Sequence, residues 1–174
     1  PGQGFFVAAD ANDVAAHDLV FAPSMRRTGN SDDFISGRAD NTLLFLKLKA
    51  STTDTNYKTA FYFNDNAGKA LDAGYDAVIM GGSAPDFALY SHLVEENTGL
   101  PMALQALATT DVSNITIPIG VNAKAGVPLT FSISASNLPA GVAVYLEDTL
   151  HNTTTLLTSS NYIVTPESNL EGTG

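Results

Sequence analysis

The segment Asn64-Asp65-Asn66-Ala67-Gly68-Lys69-Ala70-Leu71-Asp72-Ala73-Gly74-Tyr75-Asp76 crowds side-chain oxygens around two glycines. That is the chemistry a hard divalent cation asks for, because calcium takes about six to eight oxygen ligands, often including carbonyls of a tight loop. Asp65, Asn66, Asp72 and Asp76 are the candidate calcium ligands. The spacing is not that of an EF-hand, and Lys69 stands among the acids. Asn and Asp also cap turns through their own side chains, which is the competing reading of the same residues.

Other reactive groups do not assemble into a motif. His17, His92 and His151 are far apart, and none sits in a metal-ligand or nucleophile pattern. Gly81-Gly82-Ser83 lacks the glycine two places after the serine that a nucleophile elbow requires. Gly2-Gln3-Gly4 lacks the third glycine of a dinucleotide loop. The acid pairs Asp32-Asp33, Glu95-Glu96 and Glu147-Asp148 are adjacent in sequence, and neighbours on a strand point to opposite faces, so they read as solvated charge rather than as a glycosidase pair. The chain has no cysteine, which closes the disulfide, thiolate-metal and cysteine-nucleophile readings. These residues lead to the expectation of a protein that is not an enzyme, with no cofactor beyond calcium.

Charge narrows the partners. Eighteen acidic residues against eight basic ones give a formal charge of −10, the opposite of a phosphate-binding footprint, so nucleic acid is not expected. No apolar run reaches the roughly 20 residues that span a bilayer, and Pro1-Gly2-Gln3-Gly4 lacks the basic region and apolar core of a signal peptide. An exported chain would therefore carry its address elsewhere.

The elements that must position these groups are strands. Short β-branched or aromatic runs are each closed by Gly, Pro, Asn or Asp, and 44% of the 174 residues are hydrophobic, enough for a substantial core. Strands are expected at Gly4 to Ala9, Leu19 to Ala22, Asn41 to Ala50, Tyr57 to Asn64, Ala77 to Met80 and Ala88 to His92. Lys47 and Lys49 end an alternating run and should face solvent. Short helices are expected at Ala11 to Ala16 and at Gly99 to Leu107, the latter from apolar residues at Leu100, Ala103, Leu104 and Leu107; Pro101 equally suits the start of an extended strand.

Near Thr109 to Asn114 the composition turns from aromatic-rich to Thr/Ser-rich, and a domain boundary is expected there. Beyond it, strands at Ile115 to Val121, Leu129 to Ala135, Val142 to Asp148, Thr153 to Thr158 and Asn161 to Thr165 alternate with Gly or Pro turns, the rhythm of an immunoglobulin-like sandwich. Alternation places Leu129, Phe131, Ile133 and Ala135 on one face of their strand. The expectation is an all-β protein: an antiparallel, jelly-roll-like sandwich over residues 1–110, then an immunoglobulin-like sandwich over residues 111–174.

Gly2-Gln3-Gly4-Phe5-Phe6-Val7 followed by Phe21-Ala22-Pro23-Ser24-Met25-Arg26 resembles the "GQGFFV … NSMR" signature of large secreted proteins of the Bacteroidetes. The order of Leu43 to Lys49, Leu71 to Ala77, Phe87 to Ser91, Leu100 to Leu107, Ile117 to Gly120 and Val144 to Asp148 is similar to the same family along nearly the whole chain. The resemblance implies a region preceding a type IX secretion sorting domain and displayed at the outer cell surface. Its function would be structural or adhesive, in an adhesin or filament.

It also implies that both sandwiches are incomplete at the chain ends, the turn Leu170 to Gly174 preceding a missing last strand, so that open sheet edges meet neighbouring domains or subunits. Contact with the type IX machinery during export and with surface polysaccharide is part of the same expectation, and membrane insertion is not. Asp148-Thr149-Leu150 resembles the Bacteroidetes O-glycosylation pattern, making Thr149 a candidate glycosylation site. The alternative is a carbohydrate-binding or spacer module attached to a secreted enzyme; the absence of Trp counts against sugar platforms.

Overall fold

The computed structural model describes residues 44–173, with Val20 alone before them. Backbone contacts separate Pro1–Asn41 from Thr42–Gly174, and every element below belongs to the second unit. The expected strands before Asn41, the expected helix at Ala11 to Ala16, His17, Asp32-Asp33 and the GQGFFV motif lie outside the described residues.

The unit is all-β, and among the described residues there is no α-helix. The strands are β1 Leu44–Ser51, β2 Asn56–Phe63, β3 Ala77–Val78, β4 Ala88–Ser91, β5 Met102–Leu107, β6 Ile119–Ala123, β7 Leu129–Ser136, β8 Tyr145–Asp148, β9 Thr153–Leu156, β10 Tyr162–Val164 and β11 Leu170–Thr173. Nine form one curled sheet in the order β10-β7-β1-β2-β5-β4-β6-β11, with β3 also on β5, while β8 and β9 make a separate ribbon.

β1 and β2 form a hairpin whose turn is held by Thr52: its hydroxyl accepts from the amides of Asp54 (3.3 Å) and Thr55 (3.2 Å). Such Ser/Thr turns supply a local partner where the ladder ends. The long connection Asn64 to Pro101 then carries the chain across, so that β5 returns parallel to β2. One parallel pair makes the sheet mixed, where a purely antiparallel arrangement was expected.

The curled sheet gathers its apolar side chains into one core. Leu48 and Ala50 of β1, Phe61 and Phe63 of β2, Leu89 of β4, Leu107 of β5, Ala123 of β6, and Leu129 and Phe131 of β7 belong to a single buried cluster. Each fully buried Leu contributes about 1.5–3 kcal/mol. Alternation holds where strands are half-buried: Lys47 is exposed beside buried Leu48, and Leu129 and Phe131 point inward. It lapses at the far end of β7, where Ala135 is exposed because the strand runs past the core.

Three expectations are corrected. Gly99 to Leu107 is not helical: Pro101 leads into β5, which lies between β2 on one side and β3 and β4 on the other. Leu170–Thr173 is a strand paired with β6 instead of a turn. The change in composition near Thr110 falls at a 3-10 turn, Thr109–Asp111, inside one sheet. Strands from either side of it interleave, β7 pairing with β1 and β6 with β4, so β6, β7, β10 and β11 share the sheet of the preceding strands instead of closing a second, immunoglobulin-like one.

Candidate functional site

The period-two rule decides what β4, β6 and β11 show on each side. Leu89, Val121, Ala123 and Leu170 point into the core. The opposite face carries two cross-strand rows, Ala88, Asn122 and Glu171 in one and Tyr90 and Gly120 in the other, as the registers of β4 with β6 and of β6 with β11 dictate. The loop between β3 and β4 folds back over this outer face. Ile79, Ala88 and Tyr90 form a second small buried cluster with Ala84 and Ala103 packed against it.

Gly120 is required here. A Cβ at this position would lie 2.1 Å from the Tyr90 ring, so only glycine lets the ring lie on the β6 backbone. The Tyr90 hydroxyl donates to Asn122 Oδ1 (3.2 Å), and Asn122 Nδ2 donates to the carbonyls of Pro85 (3.0 Å) and Ala84 (3.4 Å). One amide thus ties the loop to the sheet. Burial raises the Tyr90 pKa, keeping its hydroxyl a donor.

Between loop and sheet lies an open cleft of about 590 Å3, within the usual range for small-molecule sites. Its polar wall is Ser83, Asp86, Asn122, Lys124, Asn169 and Glu171. Asn169 is itself fixed, its Oδ1 accepting from the Ala125 amide (3.0 Å). Asp86, Lys124 and Glu171 are exposed, and their side chains make no hydrogen bond or ion pair among the described residues. Of the cleft wall, the sequence motifs touch only Ser83, in the rejected elbow; the signal for the cleft is Gly81-Gly82 and Gly99, all at positive φ, bending the two segments that rim it.

The four candidate calcium ligands are differently employed. Asp72 Oδ2 accepts from the Gly68 amide (2.6 Å), and Asp76 accepts from the amides of Asp72 (2.8 Å) and Ala106 (2.7 Å). Asp65 accepts from the Thr109 hydroxyl, and Asn66 donates its amide to Asn64 Oδ1 (2.9 Å). Burial raises the Asp76 pKa, although the two amide donors pull the other way. Lys69 lies 3.5 Å from Asp111 and 3.9 Å from Glu95. Among the described residues no group of three or more His, Cys, Asp or Glu side chains is placed to hold a metal ion.

Thr149 is exposed at the turn of the β8–β9 ribbon. Beside it Asp148 accepts from the Tyr162 hydroxyl (2.6 Å) and from the His151 amide (3.0 Å), with the His151 ring at 2.9 Å. His92 is buried against the Tyr90 ring, edge to face at 5.4 Å.

Fold and cleft together define an all-β protein with a curled mixed sheet that carries an open polar cleft on its outer face. The chain belongs to a family described as a domain of unknown function (DUF8693), whose model matches residues 1–171. That single match runs through the compositional change at Thr110. Neither the curated proteins nor the solved structures yielded a match.

Proposed function

We propose that this chain is a non-enzymatic structural or adhesive module of a secreted or cell-surface bacterial protein, exported by type IX secretion, its curled sheet serving as a sandwich-like scaffold. The observation that carries the reading is the open sheet. Its outer strands are β10 and β11, and neither has a partner on its far side among the described residues. β10 also exposes Ile163, at 67%. An unpaired strand with an apolar side chain is a template for a neighbouring strand; natural monomers blunt such edges by keeping them short or with charge or proline, and β10, though three residues long, carries neither charge nor proline. The GQGFFV-type resemblance supports the surface location, and the exposed Thr149 suits a glycosylated turn.

Light scattering on the purified chain tests it. The expected result is association that grows with concentration, slows amide exchange in β10 or β11, and is lost in Ile163→Lys, which places a charge on the edge. A chain that stays monomeric at high concentration with freely exchanging edge amides would overturn the reading.

A further inference from the structure

We propose that the cleft between the β3–β4 loop and strands β6 and β11 binds a neutral saccharide, which gives the adhesive half of the preceding reading a site and a ligand class. Four observations lead there.

The cleft is framed before any ligand arrives. Asn122 ties the loop to the sheet through Ala84 and Pro85, Gly120 seats Tyr90 beneath it, and Asn169 is fixed by the Ala125 amide. A site whose walls are already held loses little entropy on binding.

The wall then offers both kinds of hydrogen-bonding group. The carboxylates of Asp86 and Glu171 only accept, the ammonium of Lys124 only donates, and the Asn169 amide nitrogen donates while its oxygen is occupied by Ala125. A sugar hydroxyl both donates and accepts, so vicinal hydroxyls match such a mixed wall. A ligand with acceptors alone would leave the carboxylates facing it unpaired.

Charge sets the sign. Two carboxylates stand against one lysine, in a chain of net charge −10, which disfavours phosphates, sulfates and uronic acids. Shape sets the strength. Tyr90 lines the cleft but is 6% exposed with its ring against Gly120, so no aromatic platform is offered; the remaining apolar lining comes from Ala84, Pro101, Ala123 and Leu170. Hydrogen bonds in a wet cleft without ring stacking lead to a Kd on the order of 1 mM.

The test is a titration followed by two-dimensional amide NMR on the whole chain. The probes are maltose, cellobiose, lactose and diacetylchitobiose, with glucuronic acid and glucosamine as anionic and cationic counterparts. The expected result is that at least one neutral disaccharide shifts the amides of residues 83–86, 122–124 and 169–171, and that Asp86→Asn and Glu171→Gln each weaken it about tenfold with the fold unchanged. No shift with any neutral disaccharide well above the expected Kd overturns the proposal, as does a response to glucosamine alone, which would make the cleft an amine site. Light scattering reads edge association separately, so a chain that binds sugar without assembling is distinguished from one that assembles without binding sugar.

Discussion

Asp72 and Asp76 in the loop after β2, and Asp86 and Glu171 at the cleft, are the same chemical group in the same acidic chain, yet they do opposite things. The first two accept backbone N–H groups at 2.6–2.8 Å and hold a turn closed. The second two are exposed and have no partner among the described residues. Asx-rich sequence marks the first region because capping needs short acids close together in sequence. A binding wall assembles its acids from a loop and an edge strand far apart in the chain, and leaves no local trace. Density of carboxylates in sequence thus points toward structure, and carboxylates without partners point toward ligands.

The largest expected effect is at the floor of the cleft. Gly120→Ala places a methyl group 2.1 Å from a ring that is 6% exposed and pinned between β4 and β6. Neither backbone nor ring can yield without parting the two strands, so a loss of about 3 kcal/mol or more is expected in urea unfolding. Adding Tyr90→Ala should recover part of that loss, because the two changes share one clash. Full stability of Gly120→Ala would mean that the floor is as adaptable as the loop, and the contrast between the regions would disappear.

A smaller effect sharpens the contrast directly. Asp76→Ala strands the Ala106 amide, and Ala106 is 2% exposed, so about 2 kcal/mol should be lost. Asp86→Ala and Glu171→Ala should each change stability by less than about 0.5 kcal/mol, since neither caps anything. Calcium added after chelation should leave the melting temperature of the wild-type chain unchanged. A clear rise with calcium would return Asp65, Asn66, Asp72 and Asp76 to a ligand role and undo the assignment of that loop to capping.

How much of this was legible beforehand follows from the same physics. Half-buried strands announce themselves by alternation, which is why β1, β2, β7 and the ribbon fall close to where the sequence places them. β5 is covered on both faces, so Met102, Gln105, Ala106 and Leu107 are all buried and no period of two survives. Its apolar residues happen to fall at helical spacing. The one polar side chain in it, Gln105, donates its amide to Ser91 Oγ (2.7 Å) and the His92 carbonyl (2.8 Å) at the end of β4, while its buried Oε1 has no hydrogen-bond partner among the described residues. β11 was hidden by Gly172, whose φ of 113 resembles a turn residue but here sits within a paired edge strand. The sheet order was hidden for a plainer reason: pairing β7 with β1, across nearly eighty residues, has no local signature.

A pH-dependent effect concerns a third carboxylate, which lies between the two extremes. Asp148 is partly buried, which alone would raise its pKa, but the Tyr162 hydroxyl, the His151 amide and the His151 ring together outweigh this and hold it below the usual range. A folded-state pKa below that of the unfolded chain, about 3.9, means that the unfolded chain binds the proton first as acid is added. The bond network therefore contributes stability at neutral pH that is lost as the pH falls through the folded-state value. Asp148→Asn should cost less than about 1 kcal/mol at pH 7 and should flatten the decline in urea midpoint between about pH 5 and pH 2. Asp76 has the opposite sign: its raised pKa means that this group favours folding most when protonated, so its contribution weakens as the pH rises. If Asp148→Asn leaves the acid limb as steep as in the wild type, the ribbon is not held to β10 by that carboxylate. Asp148 would then join Asp86 and Glu171 among the acids that face solvent instead of fastening the fold.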